Sequence, residues 1–276
     1  MGCAVWGHAP WLGGLYPSGT ASRDFLKTYA QRLTAVEGNT TFHVLPAVTS
    51  VQRWASQLPE GFRFLPKIHR DISHEGPLVG KTVLAAQFRQ LMAPLGTRGG
   101  PFFLQLPPSY GPNRLADLAA FLVRWPTETP LAVEVRDLAW FRRKTLAQLD
   151  ALLSSLGMAR VLLDTTPCYD APDLPMRLTQ NSKPDLPVAA HVTCGFTMVR
   201  YIGHPRLDLN EPYLRQWASR VDGWIRAGID VYFLVHCPVE DHSPGMVRRF
   251  QQLLLERGAP VPPLPWDTAP GQLPLL

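Results

Sequence analysis

Cysteine is scarce in this chain and scattered. Cys3, Cys168, Cys194 and Cys237 have no CxxC spacing, so neither a zinc knot nor a disulfide framework is expected. Reduced thiols in the cytoplasm are the simpler expectation. No apolar run approaches the roughly 20 residues of a membrane span. No basic segment followed by an apolar one opens the chain either, because the strand-like CAVW begins at residue 3; a soluble, unsecreted protein with no membrane partner is expected. Nucleotide and nucleophile signatures are missing: there is no GxGxxG after a strand, no GxxxxGK[ST], no GxSxG and no HExxH. Charge is sparse as well, at 18% of residues.

Proline and glycine are abundant instead, 28 and 21 of 276 residues, which with 46% hydrophobic residues indicates short elements, firmly punctuated loops and a full core. The 27 basic and 22 acidic residues leave a formal charge of +5. That bias suits an anionic ligand or nucleic acid, and suits plain solvation equally.

Short β-branched or aromatic runs alternate with amphipathic stretches, the pattern of βα units around a parallel sheet. The strand-like runs are 3–8, 35–42, 62–68, 101–106, 131–136, 160–165, 197–202 and 230–236. Helical spacing marks 22–33, 49–58, 81–95, 113–124, 143–156, 210–227 and 243–257. Ser22, Thr49 and Ser243 with Pro244 stand where N-caps belong, and Gly157 and Gly258 where C-caps belong. Eight strands predict an α/β fold, a single (β/α)₈ TIM barrel over 1–258. The sixth crossover, 166–190, is long, polar and without helical period, a lid or an irregular replacement for a helix. A proline-rich tail at 259–276 is expected to pack on or near the barrel.

Residues two apart on a strand share a face, so the charged strand ends show what reaches the barrel mouth. Val133 and Val135 face outward, which puts Glu134 and Arg136 inside. The same logic pairs Glu37 with Asn39, Leu65 with Lys67, Leu162 with Asp164 and Met198 with Arg200, and Gln105 ends the fourth strand. Buried charges are costly unless paired, so these groups are expected to share one cluster. Lys67, Arg136 and Arg200 suit an anion, and Glu37, Glu134 and Asp164 proton chemistry, with His74 as a possible partner. The competing reading is an ion-pair layer that only closes the barrel, Glu134 with Arg200 and Asp164 with Arg136.

His8, His69, His74, His204 and His236 fall at or beyond strand ends and allow a divalent metal held with a carboxylate, although no cofactor is expected. The helix beginning at Ser243 lies where barrels often bind phosphate. Trp6, Trp11, Trp54, Trp140 and Tyr110 suit aromatic walls or ordinary packing.

VEGNTTFHVLP (36–46), LPEGFRFLPKI (58–68), ISHE (72–75), QLPPSYGP (105–112), VEVRD (133–137), VRYIGHP (199–205) and VYFLVHCP (231–238) together resemble the YecE-like family, in order and over almost the whole chain. The resemblance implies a TIM barrel without an established reaction. It also implies that Glu37, Asn39, Lys67, His74, Gln105, Glu134, Arg136, Asp164 and Arg200 are motif residues. His43 departs from it, since the family more often has Tyr after Phe. Three functions stay open: a hydrolase, lyase or isomerase acting on an anionic or phosphate-bearing small molecule, a nucleic-acid-binding or phosphodiester-cleaving protein, and a non-catalytic binding or scaffold protein. Arg70, Arg98, Arg142, Arg143 and Lys144 are the basic residues available to the second.

Overall fold

The structure, a computed structural model, describes residues 1–171, 173–180 and 182–268. Eight parallel strands form it: β1 (Gly2–Cys3), β2 (Ala35–Gly38), β3 (Arg63–Pro66), β4 (Phe102–Gln105), β5 (Leu131–Glu134), β6 (Ala159–Asp164), β7 (Phe196–Ile202) and β8 (Asp230–His236). Their order, β3-β2-β1-β8-β7-β6-β5-β4, is that of a barrel opened between β3 and β4. Even that seam is bridged, because Ile68 N donates to Phe103 O at 2.9 Å and Gly100 N to Phe64 O at 2.7 Å. This is an α/β barrel of the TIM type.

The helices are α1 (Phe25–Ala30), α2 (Thr40–His43), α3 (Val48–Gln57), α4 (Arg70–Ser73), α5 (Thr82–Met92), α6 (Leu115–Leu122), α7 (Arg143–Ser155), α8 (Thr166–Asp170), α9 (Leu174–Gln180), α10 (Leu207–Arg226), α11 (Ser243–Glu256) and α12 (Pro265–Thr268). The long ones bury one stripe each: Leu214, Trp217, Ala218 and Val221 on α10, and Met246, Val247, Phe250 and Leu254 on α11. The sixth crossover is long and irregular, with the short α8 and α9 inside it.

Two strand expectations are corrected. Of the run at 3–8 only Cys3 lies in β1, with Ala4 N still donating to Val235 O at 3.2 Å, and between β1 and β2 the Tyr29 hydroxyl accepts from Cys3 N at 2.6 Å and donates to Ala35 O at 3.0 Å. The run at 35–42 ends at Gly38, where the chain turns into α2. Thr41 fastens that turn to β3 by reaching both Gly38 O and Lys67 O.

The capping expectations divide. Gly157 and Gly258 have φ of 64° and 66°, the left-handed conformation that ends helices. Thr49 lies inside α3 rather than before it, Ser22 opens a 3-10 turn ahead of α1, and Ser243 is itself the first residue of α11, its hydroxyl donating to Glu240. Beyond Gly258, Leu264 and Trp266 are buried and Trp266 N donates to Arg32 O. Of the proline-rich segment, 269–276 lies outside the described residues. Among the described residues, no helix is long and apolar enough to cross a membrane.

Inside the barrel lies a floor of Ala35, Leu65, Phe103, Ala132, Ala159, Val161, Met198 and Leu234. The residue two positions later on β2, β3, β4, β5, β7 and β8 is polar: Glu37, Lys67, Gln105, Glu134, Arg200 and His236. Strand alternation alone therefore stacks a polar layer on an apolar one at the C-terminal ends. Gly38 allows β2 to approach β3 here, since a Cβ would stand 2.6 Å from the Phe64 ring and 2.9 Å from Leu65 O. Gly38→Ala is expected to cost about 1–3 kcal/mol through overpacking. Urea unfolding measures it, and an unchanged midpoint would contradict this close packing.

Candidate active site

Arg200 stands at the centre of the polar layer. Its guanidinium holds Glu37 with two hydrogen bonds, Nε to Oε2 at 2.8 Å and Nη2 to Oε1 at 2.9 Å, and donates through Nη1 to Glu134 Oε2 at 2.6 Å. Arg136 Nε completes Glu134 by donating to Oε1 at 2.6 Å. His236 Nε2 lies 2.9 Å from Glu37 Oε2 and 3.1 Å from Arg200 Nη2, within hydrogen-bond reach of both. The exposures of Glu37, Glu134 and Arg200 are 0%, 0% and 1%, so these are fully desolvated charges. The Phe103 ring lies beneath, 4.8 Å from the Arg200 guanidinium carbon.

Charge in this layer is unbalanced. Lys67 and Lys183 join the two arginines, so four cationic side chains face two carboxylates. Lys67 Nζ lies 4.4 Å from the centre of the Phe42 ring and 5.4 Å from that of Phe103, with no hydrogen bond or ion pair among the described residues. Burial, and then Arg200, push its ammonium down to about 7. Lys183 comes from the sixth crossover, and burial with Arg200 and Arg136 pushes it down to about 8. Gln105 is 6% exposed, and its Oε1 is buried without a hydrogen-bond partner among the described residues.

His74 is half-buried beside Phe42, with ring centres 5.0 Å apart; Ser73 Oγ lies 2.8 Å from its Nδ1. Burial, reinforced by Lys67, holds it near 4 and therefore neutral. Burial raises the Glu37 and Glu134 carboxyls, but Arg200 outweighs it, leaving Glu37 well below the usual range and Glu134 at about 2. Burial holds the His236 imidazole at about 3 even though Glu37 favours its charged form.

Strand logic places Glu37, Lys67, Gln105, Glu134, Arg136 and Arg200 together, and Glu134 pairs with Arg200. It misplaces Asp164. On β6 it is Ala159 and Val161 that join the barrel floor, so Asp164 points outward, accepting from Trp217 Nε1 on α10 at 2.6 Å and from Thr166 N at 2.9 Å. The expected pair of Asp164 with Arg136 is therefore replaced by Glu134 with Arg136. Asn39 is also displaced: it follows the end of β2, and its Nδ2 donates to Ala4 O at 3.0 Å.

Sequence reasoning passed over Lys183, which no periodicity marks. It weighed His236 only as a metal ligand, although the alternation of β8 puts it two residues after Leu234. The other histidines disperse, His8 to Asp241, His69 to Asp71 and His204 to Asp173. Among the described residues no three His, Cys, Asp or Glu side chains gather as a metal site. The start of α11, considered for phosphate, holds the carboxyl of Glu240, which accepts from Ser243 Oγ at 2.6 Å and which burial raises to about 7.

Two predictions follow from this placement. Asp164→Ala removes a buried acceptor of two hydrogen bonds, and at about 1.5–3 kcal/mol for a bond to a charged group it is expected to lower stability while anion binding survives. Denaturation paired with calorimetry tests that, and lost binding in a fully folded variant would return Asp164 to the site. The second concerns acid. Glu37 and Glu134 titrate lower in the folded chain than the ordinary 4.5, and His236 at about 3 rather than 6.5. The unfolded chain thus binds more protons across this range, so stability falls as pH drops from about 6.5 towards 2. Urea midpoints against pH should show the fall, shallower in Glu134→Gln; a flat profile would contradict the pairing.

Comparison with known proteins agrees with this architecture. Residues 1–269 match the family model described as "Protein of unknown function DUF72". The chain is 33% identical over 276 residues to the UPF0759 protein YecE of Escherichia coli strain K12, covering 98% of each, and likewise to that of E. coli O157:H7. A crystal structure of a DUF72 family protein from Enterococcus faecalis V583 superposes with a TM-score of 0.70 at 17% identity, over 99% of this chain and 98% of that one. Another, from Thermotoga maritima MSB8, gives 0.66 at 18% identity over 92% and 97%. The matching family model, the E. coli relatives and the shared barrel together establish that this chain belongs to the DUF72 family.

Proposed function

We propose that the barrel mouth is an enzyme active site for an anionic small molecule carrying a carboxylate or phosphate. One observation carries the reading: four cationic side chains converge on two carboxylates that are already engaged by Arg200 and Arg136. Unbalanced positive charge in a desolvated site is costly, and two lysine ammoniums are accordingly depressed. A bound anion would relieve that cost. Arg136 offers the guanidinium edge not spent on Glu134 Oε1 and Ser182 O, and Lys67 and Lys183 offer point charges; the buried Gln105 Oε1 suits a hydroxyl of the ligand rather than its anionic group.

Within this reading the carboxylates change role. A general base works best with a pKa near the working pH, and Glu134 at about 2 is far below it. Glu37 and Glu134 therefore position Arg200 and Arg136, and proton transfer falls to Lys67 and His74. Of the basic residues considered for nucleic acid, Arg98 precedes β4 at the opposite end of the barrel, where its Nε donates to Leu58 O, whereas Arg70 follows β3 and Arg142, Arg143 and Lys144 follow β5.

Sulfate keeps its charge across neutral pH and is the probe of choice. Its binding should weaken as pH rises through about 7 to 8, where the lysines lose their protons. Arg136→Ala should weaken it about tenfold or more, the equivalent of one charge-assisted hydrogen bond. Calorimetry reads both effects, and pH-independent binding would count against the site. For catalysis, a metabolite extract incubated with wild type should lose at least one anionic component that Arg136→Ala spares. Identical mass-spectrometric profiles would sink the enzyme reading.

A further inference from the structure

Lys67 is set apart from the other cations of the mouth. Arg136 and Arg200 are committed to carboxylates, and Lys183 arrives on a crossover whose neighbour Ser182 meets Arg136 through its carbonyl. Lys67 is fixed to β3, 6% exposed, its Nζ resting on the Phe42 and Phe103 rings. Glu37 and Glu134 share the layer, yet neither forms an ion pair with it among the described residues, because Arg200 occupies both. A buried amine beside two guanidiniums and without a carboxylate of its own is disposed to lose its proton and act as a nucleophile, even though the Phe42 and Phe103 faces favour its ammonium.

We propose that Lys67 is a covalent nucleophile whose amine adds to the carbonyl carbon of an anionic aldehyde or ketone, the anionic group being held by Arg136 and Lys183. This rests on the anion-binding reading above and narrows the substrate class. The nitrogen lone pair forms the C–N bond while the C=O π pair moves to oxygen. A proton passes from nitrogen to that oxygen, giving a carbinolamine. Loss of the hydroxyl with one further proton, as water, leaves the C=N bond, so amine and carbonyl yield imine and water with no change of oxidation state.

Two neighbours fit these proton movements. His74 is neutral and flanks the same Phe42 ring, with Nδ1 engaged by Ser73. Gln105 Oε1, on the adjacent strand and buried without a partner among the described residues, can accept from the carbinolamine hydroxyl. Once protonated, the imine draws electrons from a bond at the neighbouring carbon, which favours lyase or isomerase chemistry over hydrolysis.

Reductive trapping tests this on the unmodified protein. Pyridoxal 5′-phosphate, an aldehyde bearing phosphate, and pyridoxal, which lacks it, are each added near neutral pH with sodium borohydride, and labelled peptides are mapped by mass spectrometry. The chain has five lysines, Lys27, Lys67, Lys81, Lys144 and Lys183. The expected result is a label concentrated on Lys67, about tenfold or more greater with the phosphorylated aldehyde, and suppressed by sulfate. Lys67→Gln should lose that label and bind sulfate more weakly but measurably, through Arg136 and Lys183. Label spread over all the lysines, or placed on Lys183, overturns the proposal even where sulfate binds. Label on Lys67 that is equal for both aldehydes and indifferent to sulfate supports the nucleophile and overturns the anion reading instead.

Discussion

Arg200 binds both buried carboxylates of the barrel, and the rest of the mouth is organised around that double contact. Glu37 comes from β2, Glu134 from β5 and Arg200 from β7, strands that do not hydrogen-bond to one another in the sheet order. Its hydrogen bonds therefore span the interior and tie together parts of the barrel that backbone ladders leave unconnected. Desolvating three charges costs several kcal/mol each, and only near-complete hydrogen bonding offsets this. Both Glu37 oxygens and both Glu134 oxygens are engaged, which meets that condition.

The same clamp sets the chemistry above it. Because Arg200 and Arg136 engage the two carboxylates, neither Lys67 nor Lys183 has an ion-pair partner among the described residues, and the Arg200 guanidinium opposes their protonation. A structural ion-pair layer and a ligand site are often treated as alternatives. Here both carboxylates are already engaged by arginines, and Lys67 stands in the same layer without an ion pair among the described residues.

How much of this was legible in sequence depended on alternation. Where an apolar residue precedes a charged one by two positions and a second apolar series interleaves, as in LAVEVR or TMVRYI, the inward face is readable and Glu134, Arg136 and Arg200 follow. The run ARVLLD offers no such contrast, and Asp164 was assigned to the wrong face. Arg160 was the available signal: it shares a face with Asp164, and an arginine deep in the apolar floor is far costlier than one paired outside with Asp150 at 2.6 Å. Asn39 leaves the strand alternation at Gly38, where β2 packs closely on Phe64 and Thr41 reaches Lys67 O, neither of which is a local preference.

Lys183 marks the limit of strand-based reading and also shows what the sixth crossover does. That segment has few helical residues, yet it is held at specific points: Thr165 Oγ1 donates to Pro184 O, Tyr169 Oη to Lys183 O, Gln180 Nε2 to Cys168 O and Arg136 Nη1 to Ser182 O. Met176 and Leu186 are buried with Leu163 and Ile202 on the strands below. Four side chains gripping backbone carbonyls, two of them the crossover's own Tyr169 and Gln180, fix the path of the chain. A polar, proline-rich sequence can thus be held in place without a sustained helical period, by side-chain to backbone contacts within it and from its flanks. Glu37, Glu134 and Arg200 belong to strands, whereas Lys183 is carried by a segment seated on the barrel through Met176 and Leu186.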